Sequence, residues 1–472
     1  MNILRPIVPV DVVSRAPLIT TRQLAVFLLV IDLCGIVLLL ILSYFLRLGK
    51  TPNVLSPALS GTVVLLLLGF YIVDAYRPDL QVSGLGAPAR TLVGCLFAGI
   101  VLSAFSYLYQ APALTPLLWR SIFLPGLGLF TLWAVLIRVF VGAWARSHAK
   151  QSACLLLGSD ANTQRFEQDF EKWNPFGKLV VLADVDPAIR ETAPHAHSVA
   201  GTLKDLPLWT AQPWSGVIVA PQLELSDPQI QSLMQLRLKG IPVYQLPNFY
   251  ERLWQKLPPA LLQDAWLTFG SGFELFANRI TLKTKRLVDI VTVSLLLASL
   301  SPLMLLAGIA VKLESPGAVF YSQLRNGLHG NPFRVYKFRS MHQDAEKMGA
   351  QWAQKRDSRI TRVGYCLRLT RIDELPQLWN VLRGEMSLIG PRPERPEFDS
   401  QLAIKIPYYN LRYLVKPGIT GWAQVLYPYG ASVEDAYEKL SYDLYYIKNY
   451  SIWLDLAIAF KTVRVVILGK GQ

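Results

Sequence analysis

Four apolar stretches, at about 24–46, 58–74, 91–109 and 118–142, constrain this chain more than any other feature. Each approaches the ~20 residues that a helix needs to cross ~30 Å of hydrocarbon. Around them Arg5, Arg15, Arg22, Arg77, Arg90, Arg146 and Lys150 fall on one side, against Arg47, Lys50 and Arg120 on the other. That bias predicts a four-helix transmembrane bundle over 1–150 with both ends in the cytoplasm. Asp32 lies within the first stretch and Asp74 at the edge of the second, where a packed acid and a functional one are equal readings. A hydrophobic share of 52% over 472 residues fits a membrane protein with soluble parts. The formal net charge of +14 suits nucleic acid, anionic lipid or phosphorylated substrates, and the apolar composition favours the last two, with no nucleic acid expected. Cys34, Cys95, Cys154 and Cys366 show no C-x-x-C spacing, hence no disulfide framework and no zinc site. The first twenty residues contain no apolar core with a cleavage site, so no removable signal peptide is expected.

From 151 to 250 the pattern changes to short apolar runs between polar turns: "ACLLLGSD", "KLVVLADVD", "GVIVAP" and "IPVYQLP". Strands alternating with helical segments predict an α/β domain with a parallel sheet. A dinucleotide site wants G-x-G-x-x-G after the first strand, whereas Gly158 is followed by "SDANTQ". The glycines that let a pyrophosphate approach are missing, so a scaffolding or regulatory role is favoured over a nicotinamide site. A linker is expected over 251–280.

The next apolar run lies between Lys285-Arg286 and Lys312. It is long enough to cross, yet Ser301-Pro302 sits mid-run, where proline removes a backbone donor and clashes with the carbonyl four residues earlier. Basic residues flank both ends, and a fifth crossing would put everything after it outside. A re-entrant segment over 285–312, bent at Ser301 and Pro302, satisfies all three observations.

Beyond it, "GAVFYSQLRNGLHGNPFRVYKFRSM" reads as two strands around an Asn-Gly and Gly-Asn turn region, the second ending in Lys337 and Arg339. Arg356, Arg359, Arg362, Arg368 and Arg371 then crowd the approach to "RIDELPQLWN". Leu375, Leu378, Trp379 and Leu382 fit one helix face, Pro376 suits its first turn, and Thr370 with Asp373 has capping-box spacing. On that reading Asp373 and Glu374 are helix caps. Guanidinium groups beside paired carboxylates also suit oxyanion chemistry, because their fork geometry matches phosphate. Arg392, held between Pro391 and Pro393, is either a stiff structural turn or a rigidly presented anion grip.

"KFRSM", "DELPQLWNVLRGEMSLIGPRP" and "VKPGITGWAQV" resemble the bacterial sugar transferases that move hexose-1-phosphate onto a polyprenyl phosphate, the monotopic phosphoglycosyl transferases. The resemblance is dense from Lys283 to Gln472, and the preceding segments resemble the large members of that family. It implies a membrane protein of α plus α/β class: a four-helix transmembrane bundle, a Rossmann-like α/β domain over 151–250, and a monotopic catalytic domain over 281–472 carrying the re-entrant helix. It further implies Asp373 as nucleophile and Glu374 as the acid that, with Asp373, holds Mg²⁺. Arg368, Lys337 and Arg339 then belong by the substrate phosphates, and Arg392 by the nucleotide. The implied substrates are a UDP-sugar, preferably UDP-glucose with UDP-galactose next, and undecaprenyl phosphate, with UMP released at the cytoplasmic side of a bacterial inner membrane. Membrane lipids, a second copy of the chain and downstream glycosyltransferases are the implied partners, and polysaccharide initiation the implied role. The family usually has serine where this chain has Arg371. Two rival readings are a catalytically silent membrane assembly or regulatory protein and an NAD-dependent nucleotide-sugar enzyme. The intact acid pair weighs against the first and the damaged glycine fingerprint against the second.

Overall fold

The computed structural model describes residues 21–53, 56–76, 86–108, 116–174, 177–184, 199–273, 279–342, 357, 359–427, 430 and 432–467. Arg5, Arg15, Arg77 and Arg356 lie outside the described residues. The chain divides into two compact units, Met1–Phe249 and Tyr250–Gln472.

The first unit opens with four helices, α1 (Thr21–Leu48), α2 (Pro57–Ile72), α3 (Ala87–Leu108) and α4 (Arg120–Gln151). α1, α3 and α4 are long and apolar enough to cross a membrane, whereas α2 has 16 residues and is a shorter apolar helix. Their shared core runs through Ile36 and Leu40 of α1, Leu66 and Phe70 of α2, Ala98 of α3, and Phe130 and Ala134 of α4. Asp32 of α1 is a packed acid: Arg138 of α4 meets it with Nη1 at 2.9 Å and Nη2 at 2.6 Å, both side chains fully enclosed. The guanidinium also lies 4.9 Å from the Phe70 ring centre. A fork-to-fork pair is the form in which two charges tolerate such burial.

The same unit continues with β1 (Ala153–Leu157), α5 (Ala161–Trp173), β2 (Lys178–Leu182), β3 (Val199–Gly201), β4 (Gly216–Val219), α6 (Asp227–Leu238) and β5 (Val243–Gln245). The sheet is parallel throughout, in the order β3-β2-β1-β4-β5. β1 is central and buried along its whole length, as an uninterrupted apolar strand must be when both sheet faces are covered. Asp160 caps α5 in a reciprocal box with Thr163.

In the second unit, the stretch expected as a linker packs against the rest. Leu257 and Leu262 lie in one core with Leu402, Ile406, Tyr409, Tyr437, Leu440 and Leu444. Lys256 pairs with Glu438 at 3.1 Å, and Lys448 with Glu251 at 2.6 Å. The long helix α7 (Arg279–Glu314) follows and is the fourth helix long and apolar enough to span. Its backbone is assigned as helix through Ser301 and Pro302. Proline leaves the carbonyl of Ala298 without its usual amide donor, and the Ser301 hydroxyl donates to that carbonyl at 3.0 Å.

β6 (Phe320–Asn326) and β7 (Pro332–Phe338) form the expected antiparallel hairpin, with Tyr321 opposite Lys337. α8 (Arg362–Leu369), α9 (Gln377–Arg383), β8 (Ser387–Ile389), α10 (Pro396–Lys405), β9 (Gly418–Thr420), α11 (Val433–Lys448) and α12 (Ile452–Ile467) complete the unit. Short strands β8 and β9 pair in parallel and bracket the Pro-Arg-Pro loop. The first half of α7 packs Val293, Leu296 and Leu297 on Leu378 and Val381 of α9. Its second half packs Met304, Ala307 and Val311 on Phe338 and Leu367.

Candidate active site

Asp373 and Glu374 lie in a single 3-10 turn, Ile372–Glu374, between α8 and α9. The Thr370 cap expected from the sequence does not form: its hydroxyl donates back to the carbonyls of Cys366 and Leu367. α9 begins only at Gln377, with Pro376 at its N-cap making no side-chain bond. The apolar face also differs from the sequence pattern, since Trp379 is 54% exposed while Asn380 is fully buried. Asn380 explains the exchange. Its Oδ1 accepts from the Tyr336 amide at 3.2 Å, and its Nδ2 donates to the Arg334 carbonyl at 2.7 Å and to Glu385 at 2.7 Å. One side-chain amide thereby ties α9 to β7, and the next residue of β7 is Lys337.

Lys337 donates to Oε1 of Glu374 at 2.9 Å, and Arg392 to the same oxygen at 2.8 Å, while Arg371 stands 3.8 Å away. Burial opposes ionisation of Glu374, but Arg392 and then Lys337 outweigh it and hold the carboxyl well below the usual range. Burial likewise depresses Lys337, and the Glu374 charge counters it. Side-chain cations, more than peptide dipoles, keep this acid charged.

Asp373 is as enclosed as Glu374 but differs in its partners. It is 6% exposed, and its Oδ1 is buried without a hydrogen-bond partner. Burial lifts its carboxyl above the ordinary value against the pull of Lys337, and the neighbouring Glu374 adds to the rise, with Arg368 and Arg371 opposing. Arg368 is steadied by its Nε bond to Ser340 Oγ at 2.8 Å. Arg371 occupies a left-handed conformation, φ 59°, which carries a steric cost in any side chain with a Cβ.

Arg339 is turned elsewhere: its guanidinium donates to the Ser315 and Pro316 carbonyls and to Ser315 Oγ, fastening the exit from α7. Of the residues singled out from the sequence, the fold therefore gathers Asp373, Glu374, Lys337, Arg368 and Arg392, and sends Arg339 to a structural contact.

A family model described as bacterial sugar transferase matches residues 280–469. The glucose-1-phosphate transferase of Caulobacter vibrioides that acts between UDP-glucose and undecaprenyl phosphate is 47% identical over 181 residues, covering 38% of this chain and 68% of that one. The chain belongs to the bacterial sugar transferase family. A second relative, the UDP-N-acetylgalactosamine-undecaprenyl-phosphate N-acetylgalactosaminephosphotransferase of Aeromonas hydrophila, is 46% identical over 239 residues, 51% of this chain and 55% of that relative. The Escherichia coli K12 UDP-glucose:undecaprenyl-phosphate glucose-1-phosphate transferase is 45% identical over 182 residues, 38% of this chain and 39% of its own length. The match thus spans about half of the Aeromonas relative and less of the Escherichia coli one, and the family segment contains every residue of the acid-cation cluster.

Proposed function

We propose that this chain transfers hexose-1-phosphate from a UDP-hexose to undecaprenyl phosphate, releases UMP, and holds the phosphosugar on Asp373 between the two half-reactions. The observation that carries this reading is the division of labour between adjacent acids. Glu374 is paired with Lys337 and Arg392 through Oε1, whereas Asp373 keeps a buried oxygen with no hydrogen-bond partner. An attacking oxygen needs a free lone pair and little hydration, and Asp373 has both.

In the first half-reaction an Asp373 oxygen bonds to the sugar-linked phosphorus, the bond to the UMP oxygen breaks, and UMP departs with that electron pair. In the second, an undecaprenyl phosphate oxygen attacks the same phosphorus and the Asp373 carboxylate is restored. Lys337, Arg368, Arg371 and Arg392 offset the repulsion between carboxylate and diphosphate, the largest electrostatic obstacle to the first attack. Water competes for the acyl phosphate, and the burial of Asp373 limits it.

Asp373 and Glu374 are the residues that would hold Mg²⁺, an ion that characteristically takes one or two carboxylates together with substrate phosphate oxygens. The unpartnered Asp373 oxygen fits that sparse donor set, and no cluster of three or more acidic, His or Cys ligands occurs among the described residues. Bound there, the ion would neutralise diphosphate charge.

The architecture we propose is a transmembrane bundle, a Rossmann-like domain and a monotopic catalytic unit on the cytoplasmic face of a bacterial inner membrane. The strand order β3-β2-β1-β4-β5 supports the second element. A re-entrant α7 is supported by its contacts. A straight helix of 36 residues is about 54 Å long, yet both halves of α7 pack on one globular unit. A second copy of the chain and downstream glycosyltransferases are the protein partners of this reading, and initiation of exopolysaccharide, capsule or O-antigen its role.

UDP-glucose is the donor we favour, in keeping with the named activity of the Caulobacter and Escherichia coli relatives. The Aeromonas relative aligns over more of the chain, which supports UDP-N-acetylgalactosamine as the second reading. UMP release from a panel of UDP-sugars, with undecaprenyl phosphate and Mg²⁺, tests both. No UMP from any of them would remove the transferase reading.

A further inference from the structure

We propose that Arg412 is a positioning residue that fixes the Pro-Arg-Pro loop from behind and thereby aims Arg392 at the site. The proposal rests on the transferase reading, because its consequence is expressed through the sugar-nucleotide donor.

The loop presents an unusual fixing problem. Pro391 and Pro393 have no N–H, so two of its three amides cannot anchor it. It is held through its carbonyls instead, and five consecutive ones are engaged. Pro391 accepts from the Gly418 amide at 2.9 Å, and Arg392 from Arg412 Nη2 at 2.8 Å. Pro393 accepts from Arg325 Nη1 at 3.1 Å, Glu394 from the Asn326 amide at 3.0 Å, and Arg395 from the Phe398 and Asp399 amides at 3.0 Å. Backbone amides hold the carbonyls of Pro391, Glu394 and Arg395, and guanidinium groups hold those of Arg392 and Pro393, the one at Arg392 coming from Arg412.

Arg412 is 7% exposed and sits in the 3-10 segment Tyr409–Leu414. Its fork is divided three ways. Nη1 donates to the Tyr409 hydroxyl at 2.7 Å, and Nη2 is shared between the Arg392 carbonyl and Asp443 Oδ2 at 3.2 Å. Tyr409 in turn donates to Asp399 Oδ1 at 2.8 Å, and Asn326 Nδ2 donates to Asp399 Oδ2 at 2.5 Å. The network closes on itself, since Asn326 also holds the next carbonyl but one in the loop. A buried, divided guanidinium is a rigid strut, and a point-charge ammonium on a flexible stem cannot reproduce its three directions. On the far side of the same residue, the Arg392 guanidinium meets Glu374 at 2.8 Å. Backbone and side chain of Arg392 are thus clamped from opposite sides, and only the Glu374 side faces the acid pair.

The test uses the full chain in detergent, with UMP release measured against UDP-glucose and, separately, against undecaprenyl phosphate. Arg412→Lys is expected to raise the donor KM roughly tenfold, as loss of a hydrogen bond to a charged group does, while the lipid KM changes less than about twofold. Asp443→Asn, which keeps the side-chain shape, is expected to move the donor KM in the same direction by a smaller factor. In an Arg392→Ala background, Arg412→Lys is expected to add less than about twofold, because the residue through which it acts is gone. An undiminished effect in that background, or equal rises in both KM values, would overturn the proposal. Absence of UMP from the wild-type chain is a different result and falls on the transferase reading.

Discussion

Neighbouring carboxylates with the same exposure carry opposite energetic signs here, so substitution at each has an opposite effect on stability. Glu374 is enclosed by Lys337 and Arg392, and Glu374→Gln strands both cations. Breaking such a partly buried cluster costs on the order of 3 kcal/mol. Asp373 has an unpartnered oxygen, and burial with the Glu374 charge outweighs Lys337, Arg368 and Arg371 at its carboxyl, so Asp373→Asn removes an undercompensated buried charge and is expected to raise the unfolding midpoint. Both variants are expected to lose turnover, and only Asp373→Asn is expected to lose the hexose phosphate adduct seen by intact-protein mass with UDP-sugar and no lipid acceptor. If the two variants shift the midpoint in the same direction, the electrostatic distinction between the acids is wrong. Asp443 supplies a pH dependence. Burial pushes its carboxyl up to about 6, with Arg412 pulling down, Glu394 pushing up and Lys439 pulling down. Because the folded value lies above the ordinary ~3.9, this group favours the fold most at low pH and loses that contribution as pH rises through about 6. The effect on the site runs the other way, since protonation removes the carboxylate facing Arg412. Donor KM is therefore expected to rise as pH falls through about 6, and a profile with the same step in Asp443→Asn would exclude Asp443 as its source.

At the scale of elements, α7 is the least ordinary component. Its exposed residues Leu287, Val288, Leu295, Leu305 and Leu306 are apolar, while both of its ends are fastened to the globular unit. Arg286 donates to the Val381 and Leu382 carbonyls at the end of α9, and Lys285 pairs with Asp455 at 2.7 Å. Single cysteines at the exposed positions Lys283 and Leu313 avoid those contacts. In intact cells both are expected to resist a membrane-impermeant thiol reagent applied outside, and labelling of either would establish a crossing. The sequence made the hairpin, the parallel sheet and the acid turn legible because each has a short-range signature: a Gly-Asn turn, apolar runs between breakers, and acids beside a proline. What it concealed is long-range. Asn380 looks like a polar interruption of an apolar helix face, yet it links α9 to β7 across 44 residues. Arg138 looks like a cation on a membrane helix, yet it neutralises an acid 106 residues away. The left-handed Arg371 has no local signature either, because glycine or asparagine would be the ordinary choice there.

At the scale of the whole chain, the second unit begins earlier than the residues assigned to chemistry would suggest. Every one of those residues lies beyond Thr281, so a chain starting there contains the complete acid-cation cluster. The structure nevertheless gives residues from Tyr250 to Phe273 a part in its support. The Leu257 amide bonds the Ser441 carbonyl, the Trp422 indole donates to the Gln255 carbonyl, and the Phe273 amide bonds the Lys448 carbonyl. The bonds to the Ser441 and Lys448 carbonyls, with the Lys256–Glu438 and Lys448–Glu251 pairs, bind α11, and α11 carries Asp443. Leu257 and Leu262 fill the same core as Tyr409, and emptying either position alone would cost ~2–5 kcal/mol. Removing 250–280 therefore strips both the core and the partners of the buried Lys448 from beneath the Arg412 network, although it deletes nothing that touches substrate. A chain beginning at Tyr250 is expected to keep its unfolding midpoint and its UMP release. One beginning at Thr281 is expected to unfold at lower temperature and to show a raised donor KM in whatever fraction stays folded. Equal midpoints and equal donor KM values for the two would show that 250–280 is a tether after all, and that α11 holds its place without it.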